Sequence, residues 1–187
     1  MTKKYGCIIV DPPWSYERDG VRGAARAQYP TMTDAAIYAL PVVGLAAKDA
    51  ILLLWATWPK LAEAMGVIRA WEFTYLTGFP WIKITGLPRL DLFGEIDIRP
   101  QYGVGYWVRG CSEPLLIARR GNVSPPDRGW VGLLSRNLRH SRKPDDLYAY
   151  AESLPGPYLE LFARRTRPGW DCVGDAIDGW QIQEALS

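Results

Sequence analysis

Short apolar runs alternate along the chain with stretches of helical period. Runs at 7–10, 50–55, 79–84, 113–118, 158–163 and 171–173 show little polar alternation, the pattern of strands covered on both faces. Between them, Thr33 can cap a helix predicted over 35–40 and stopped by Pro41. A second helix is predicted over 59–70, with Leu61, Ala64, Met65 and Ile68 on one face. A third is predicted over 143–153, with Pro144 near its start and Leu147, Tyr148 and Ala151 turned inward. Strands alternating with helices predict an α/β fold on a mostly parallel sheet flanked by helices. The segments 17–28 and 121–140 read as loops. No repeat, linker or second pattern appears, so residues 1–187 are expected to form a single domain.

Composition narrows the classes. Hydrophobic residues make up 48% of the chain, enough for a core and too many for a disordered protein. No apolar run approaches the ~20 residues that cross a membrane. The run after Lys3 and Lys4 stops at Asp11, too soon for a secretory signal. No membrane partner and a cytoplasmic location are expected. Cys7, Cys111 and Cys172 are far apart, no CxxC pair occurs, and His140 is the single histidine. A disulfide framework or zinc site is not expected, and each cysteine is read as a small buried core residue; the metal expectation is none.

Net charge is only +2, but its distribution is uneven. Residues 109–143 hold eight Lys or Arg against Glu113 and Asp127, an excess that suits a phosphate backbone. The nine tryptophans and ten tyrosines could fill the core and also offer a stacking surface for bases.

The chemistry concentrates in CIIVDPPWSY, residues 7–16. Asp11 follows the first strand, and in open α/β sheets ligands bind beyond the carboxyl ends of strands. Pro12 and Pro13 fix the backbone and remove two N–H donors. What remains around Asp11 accepts hydrogen bonds only: its carboxylate and the carbonyls of Asp11 and Pro12. Such a cradle suits an NH₂ group, whose two hydrogens it can accept while the nitrogen lone pair stays free. Trp14 could stack on a flat heterocycle. The amino nitrogen of adenine is a poor nucleophile because its lone pair is delocalised. Holding both hydrogens on oxygen localises that pair for attack on a positioned methyl.

At these residues the chain resembles the MT-A70 family of N6-adenine methyltransferases. The resemblance runs through DPPW (11–14), YPTM (29–32), LLLWAT (52–57), FPWIKI (79–84), GYWVRGCSEPLLIARRG (105–121), SRKPDDLY (141–148) and LELFARRTRPGWDCVGDAIDG (159–179). It implies a Rossmann-like fold dependent on S-adenosylmethionine, with the catalytic motif ahead of the cofactor segment, the permuted β-class order.

The resemblance implies roles for individual residues. Asp11, Pro12, Pro13 and Trp14 form the catalytic motif, Asp11 and the Pro12 carbonyl holding the amino group. Trp14 and Tyr29 lie against the acceptor adenine. Lys143 lies near the methionine end of the cofactor. Arg164 and Arg167, which follow a strand end, belong to the segment that binds cofactor ribose and carboxylate. Asp175 could accept from ribose hydroxyls; the family commonly has Asn there followed by a polar residue, where this chain has Asp175-Ala176. Trp107, Arg109 and Glu113 match the acceptor-side strand and turn, with Glu113 bonded near an edge. Arg22 and Arg26 could close over the nucleotide. The chain begins ten residues before Asp11, so a wall that an earlier segment gives the cofactor adenine in longer relatives is expected from elsewhere, or from a partner.

The expected substrate is nucleic acid, DNA ahead of RNA, with the target base single-stranded or turned out of a duplex. The alternatives are an RNA N6-adenosine methyltransferase and a non-catalytic nucleic-acid-binding subunit. A homodimer or a heteromeric partner would both fit.

Overall fold

The computed structural model describes residues 3–16, 30–90, 93–103, 105, 107–126, 132–136, 143–174 and 177. Tyr29, Arg22, Arg26 and Asp175 lie outside the described residues, as does His140. The strands are β1 (Tyr5–Val10), β2 (Ala46–Trp55), β3 (Thr74–Ile84), β4 (Arg89–Leu90), β5 (Ile96–Asp97), β6 (Ser112–Arg120), β7 (Leu133–Arg136), β8 (Tyr158–Leu161) and β9 (Trp170–Val173). The helices are α1 (Asp34–Tyr38), α2 (Val42–Leu45), α3 (Leu61–Ala70) and α4 (Asp146–Ala151), with a 3₁₀ turn, Trp58–Lys60, leading into α3.

Seven strands form one sheet in the order β7-β3-β6-β2-β1-β8-β9, while β4 and β5 pair separately. Only β6 opposes its sheet neighbours, β2 and β3; the other pairings are parallel. The fold is α/β, as the alternation predicts. The central strands are covered on both sides: every residue of β1 is buried, and so are the last six of β2. Period-2 geometry divides their side chains between two cores. Ile8, Val10, Leu52 and Leu54 pack with Ile37, Ala64, Val67, Ile68 and Trp71, beneath α1 and α3. Cys7, Ile9, Ile51, Leu53 and Trp55 pack with Leu147, Tyr148, Tyr150 and Ala151 of α4.

Several expectations need correction. The segment 121–140, read as loop, contains β7, whose four residues LLSR gain partners only by lying parallel to β3. The helix expected over 59–70 is a 3₁₀ turn followed by α3, because Pro59 sits where the first turn tightens. The helix expected from Lys143 begins at Asp146, with Asp145 as N-cap, so Lys143 stands outside the helix dipole. Only Cys7 is buried; Cys111 and Cys172 are half-buried, and all three are free thiols. The β4–β5 hairpin lies in an insert between β3 and β6 that the apolar pattern does not announce, because its apolar residues Phe93, Ile96, Tyr102 and Trp107 face solvent. No helix among the described residues is long and apolar enough to cross a membrane.

Candidate active site

β1 is the switch strand of the sheet. The chain leaves it towards β2 on one side and returns later to β8 on the other, both parallel to it. Two crossovers that depart in opposite directions open a crevice at the carboxyl ends of the strands. The register sets Val10 beside Leu54 and Leu161, so Asp11, Trp55 and Phe162 share that edge. This explains how motifs at opposite ends of the sequence meet: a permuted order along the chain is a neighbouring order in the sheet.

Asp11 is where the crevice charges gather. The Lys143 ammonium lies 3.1 Å from Asp11 Oδ1 and 2.8 Å from Glu113 Oε2. The second Glu113 oxygen accepts from Lys83. The side chains of Lys143, Asp11 and Glu113 are 16%, 22% and 19% exposed, partly covered yet open at one side. Lys143 Nζ also stands 4.9 Å from the ring centroid of Trp55, and Lys83 Nζ 4.8 Å from that of Trp81. The aromatic rings give the ammonium groups a further partner beside the carboxylates.

These contacts set the proton affinities. Burial pushes the Asp11 carboxyl up and Glu113 adds to that, while Lys143 and Arg164 pull it back; the outcome is a raised value. Burial also raises Glu113, but Lys143 and Lys83 outweigh it and hold that carboxyl below its ordinary range. Burial lowers the Lys143 amine, and the two carboxylates more than reverse this, leaving it raised. The arrangement therefore contains one firmly ionised carboxylate, one fixed ammonium, and in Asp11 a carboxyl with raised proton affinity.

The backbone after Asp11 is braced. The Trp14 N–H donates to the Pro12 carbonyl at 2.9 Å, occupying one lone pair of that oxygen and leaving the other. The Met32 N–H donates to Pro13 O at 2.9 Å and the Ser15 N–H to Met32 O at 3.2 Å, so Pro30–Met32 of YPTM lies alongside the DPPW segment. Trp14 itself is 6% exposed and donates its indole N–H to Trp55 O at 3.3 Å. The ring that the sequence offers for stacking packs in the core and ties the Asp11 loop to the end of β2.

On the β8 side, Arg164 is exposed and close enough for its charge to act on Asp11. Arg167 lies over the Tyr148 ring at 3.6 Å and donates to Asp145 Oδ1 at 3.0 Å, yet its buried Nε has no hydrogen-bond acceptor among the described residues. Tyr148 donates its hydroxyl to Glu160, at 2.9 and 2.8 Å from the two oxygens. Burial raises the Glu160 carboxyl, the Tyr148 hydroxyl lowers it and Asp11 raises it again, for a net rise. Lys143 also lines a cavity of about 320 Å³ with Ile84, Leu134, Arg136 and Asp145. Trp107 and Arg109 are exposed on the insert between β3 and β6.

Sequence reading missed Lys83, Trp55 and Glu160. Each left a signal. Trp81 and Lys83 alternate on one face of β3, and Glu160 is a lone acid inside an apolar strand.

The MT-A70 family model matches residues 5–176. The chain belongs to the MT-A70 family. It is 28% identical to the Type II methyltransferase M.MunI of Mycoplasma sp, over 97% of this chain and 81% of that protein. It is 28% identical to the N6-methyladenosine RNA methyltransferase MTA1 of Pyricularia oryzae, over 98% of this chain and 51% of that one. It is 26% identical to the human N(6)-adenine-specific methyltransferase METTL4, over 94% of this chain and 38% of that one. The chain thus spans most of the Mycoplasma protein, about half of the Pyricularia protein and 38% of the human one. Family membership makes it an enzyme of the adenine-N6 methyltransferase class.

Proposed function

We propose that this protein transfers a methyl group from S-adenosylmethionine to the N6 amino group of adenine in DNA, on a base that is unpaired or turned out of the helix. The observation that carries this reading is the placement of Asp11: a carboxylate of raised proton affinity, followed by two prolines that donate nothing, at the switch point of the sheet. Asp11 and the free lone pair of the Pro12 carbonyl accept the two amino hydrogens. Raised proton affinity strengthens the bond to Asp11 and suits its carboxylate to take the proton that the amine gives up on methylation. Lys143 fixes the carboxylate rotamer, and Glu113 with Lys83 fixes Lys143.

The residues present fit the cofactor. Its amino-acid end carries one carboxylate and one ammonium, and this edge holds Lys143 and Arg164 beside Asp11. The unpartnered Arg167 Nε is a donor awaiting an acceptor. When bound, S-adenosylmethionine supplies an electrophilic methyl on a sulfonium. The chain's own part is to orient the amine, hold both hydrogens and keep the lone pair facing the methyl.

DNA is placed ahead of RNA by analogy with the Mycoplasma type II methyltransferase, which matches 97% of this chain. Tyr29, Arg22, Arg26, Trp107 and Arg109 are assigned to the nucleic acid, and Asp175 to the cofactor ribose. The test supplies labelled S-adenosylmethionine with single-stranded DNA, duplex DNA or RNA, then digests for N6-methyladenine. Label in DNA supports the reading. Label in RNA alone, or in none while the cofactor still binds, overturns it.

A further inference from the structure

Trp14 is enclosed in the core, so among the described residues a face that grips a base at this crevice has to come from another ring. Trp58 stands at the right edge. It is the first residue of the 3₁₀ turn after β2, three residues beyond Trp55, whose ring lies beneath Lys143. It is 52% exposed, yet three ties hold its surroundings still. Its indole N–H donates to Ser112 Oγ at 3.1 Å, and Ser112 adjoins Glu113. Thr57 Oγ1 lies 2.6 Å from the hydroxyl of Tyr16, in the loop after DPPW. Lys60, only 8% exposed, reaches Asp34 of α1 at 2.9 Å and Glu63 of α3 at 3.5 Å, which anchors the turn from inside.

A single exposed aromatic is ordinary on a protein surface. An exposed indole hydrogen-bonded into one orientation, on a turn anchored on both sides, is a rigid flat platform. Such a platform loses little freedom when a ring lies on it. Stacking on tryptophan requires only a π-face, so it accepts any base. Its anchors are the loop that follows Asp11 and the residue beside Glu113, so the platform keeps a fixed place relative to the acceptor cradle.

We infer that Trp58 is a stacking subsite for an unpaired nucleobase of the acceptor strand. The inference rests on the proposed methyl transfer only in requiring that a strand enter this edge. It assigns Trp58 to strand affinity rather than to the chemical step.

The test uses the full chain with single-stranded oligonucleotides that carry one adenine, and a parallel set with 2-aminopurine placed at that position or at either neighbour. Trp58→Ala is expected to raise the KM for the oligonucleotide about 10-fold, with kcat within about 2-fold, and to remove quenching of 2-aminopurine at one position. Trp58→Phe should recover most of the affinity, and Ser112→Ala should give an intermediate loss. Unchanged KM and unchanged quenching in Trp58→Ala would overturn the inference. So would a fall in cofactor affinity or melting temperature matching the loss of oligonucleotide binding, since that pattern belongs to a structural residue. A wild-type chain that binds and quenches the oligonucleotide without methylating it would remove the proposed function and leave this subsite standing.

Discussion

Lys143 Nζ bridges Asp11 and Glu113, 3.1 Å from one carboxylate and 2.8 Å from the other. Two partly covered acids share one cation, and their proton affinities move apart: Asp11 up, Glu113 down. That division turns two similar side chains into one positioning anion and one hydrogen-bond acceptor.

Replacing Lys143 with Met should strip Asp11 of its ion-pair partner and leave Glu113 with Lys83 alone. We expect stability to fall by about 2–4 kcal/mol, because removing one member of a covered ion pair strands the rest. Methyl transfer should fall by about 100-fold or more, with Lys143→Arg restoring stability more fully than activity. Urea unfolding and initial rates on a single-stranded oligonucleotide check both.

Asp11→Asn should behave differently. It removes a carboxylate whose burial is costly while Lys143 keeps Glu113, so stability should stay within about 1 kcal/mol of wild type. The amide offers its NH₂ where two acceptors are needed, and activity should drop by at least about 100-fold. Full activity in a folded Asp11→Asn protein would refute the acceptor cradle.

The pH dependence follows from Glu113. A carboxyl held below its unfolded value contributes stability above about 4.5, and that contribution fades as pH falls through the folded value. The stability gap between wild type and Glu113→Gln should therefore be widest near neutrality and close in acid. Asp11, shifted upward, acts with the opposite sign and disfavours folding as pH climbs past 3.8. The raised Lys143 amine contributes below 10.5 and is lost at higher pH. Urea midpoints of the two proteins at pH 7 and pH 3.5 measure the closing gap.

Trp14→Phe should cost about 1–2 kcal/mol, through a lost hydrogen bond to Trp55 and a smaller ring in a filled core. A ring that only stacked on substrate would leave thermal unfolding unchanged, so calorimetry without substrate separates the two roles.

Local pattern carried much of this architecture. Asp11 follows a run of apolar residues, and that placement alone puts a carboxylate at a strand's carboxyl end. The six apolar runs all contain sheet strands, because burial on both faces demands unbroken apolar sequence. The insert with β4 and β5 and the short β7 escaped for the same reason. Their strands are too short and too exposed to carry a burial signal, and β7 exists only because β3 lies beside it.

The sequence by itself determined where the main strands run and, through its motifs, which family the chain belongs to. Tertiary structure decided what those residues touch. Lys143 reads locally as the opening of a helix; in the fold it precedes the helix and bridges two acids from distant strands. Trp14 reads as a ring placed to stack on a heterocycle; in the fold it is buried and donates to the Trp55 carbonyl. The physical reason is range. Periodicity and capping act over a few residues, whereas the order of strands in a sheet, and hence which charges meet at its edge, is set by packing between segments far apart in the chain.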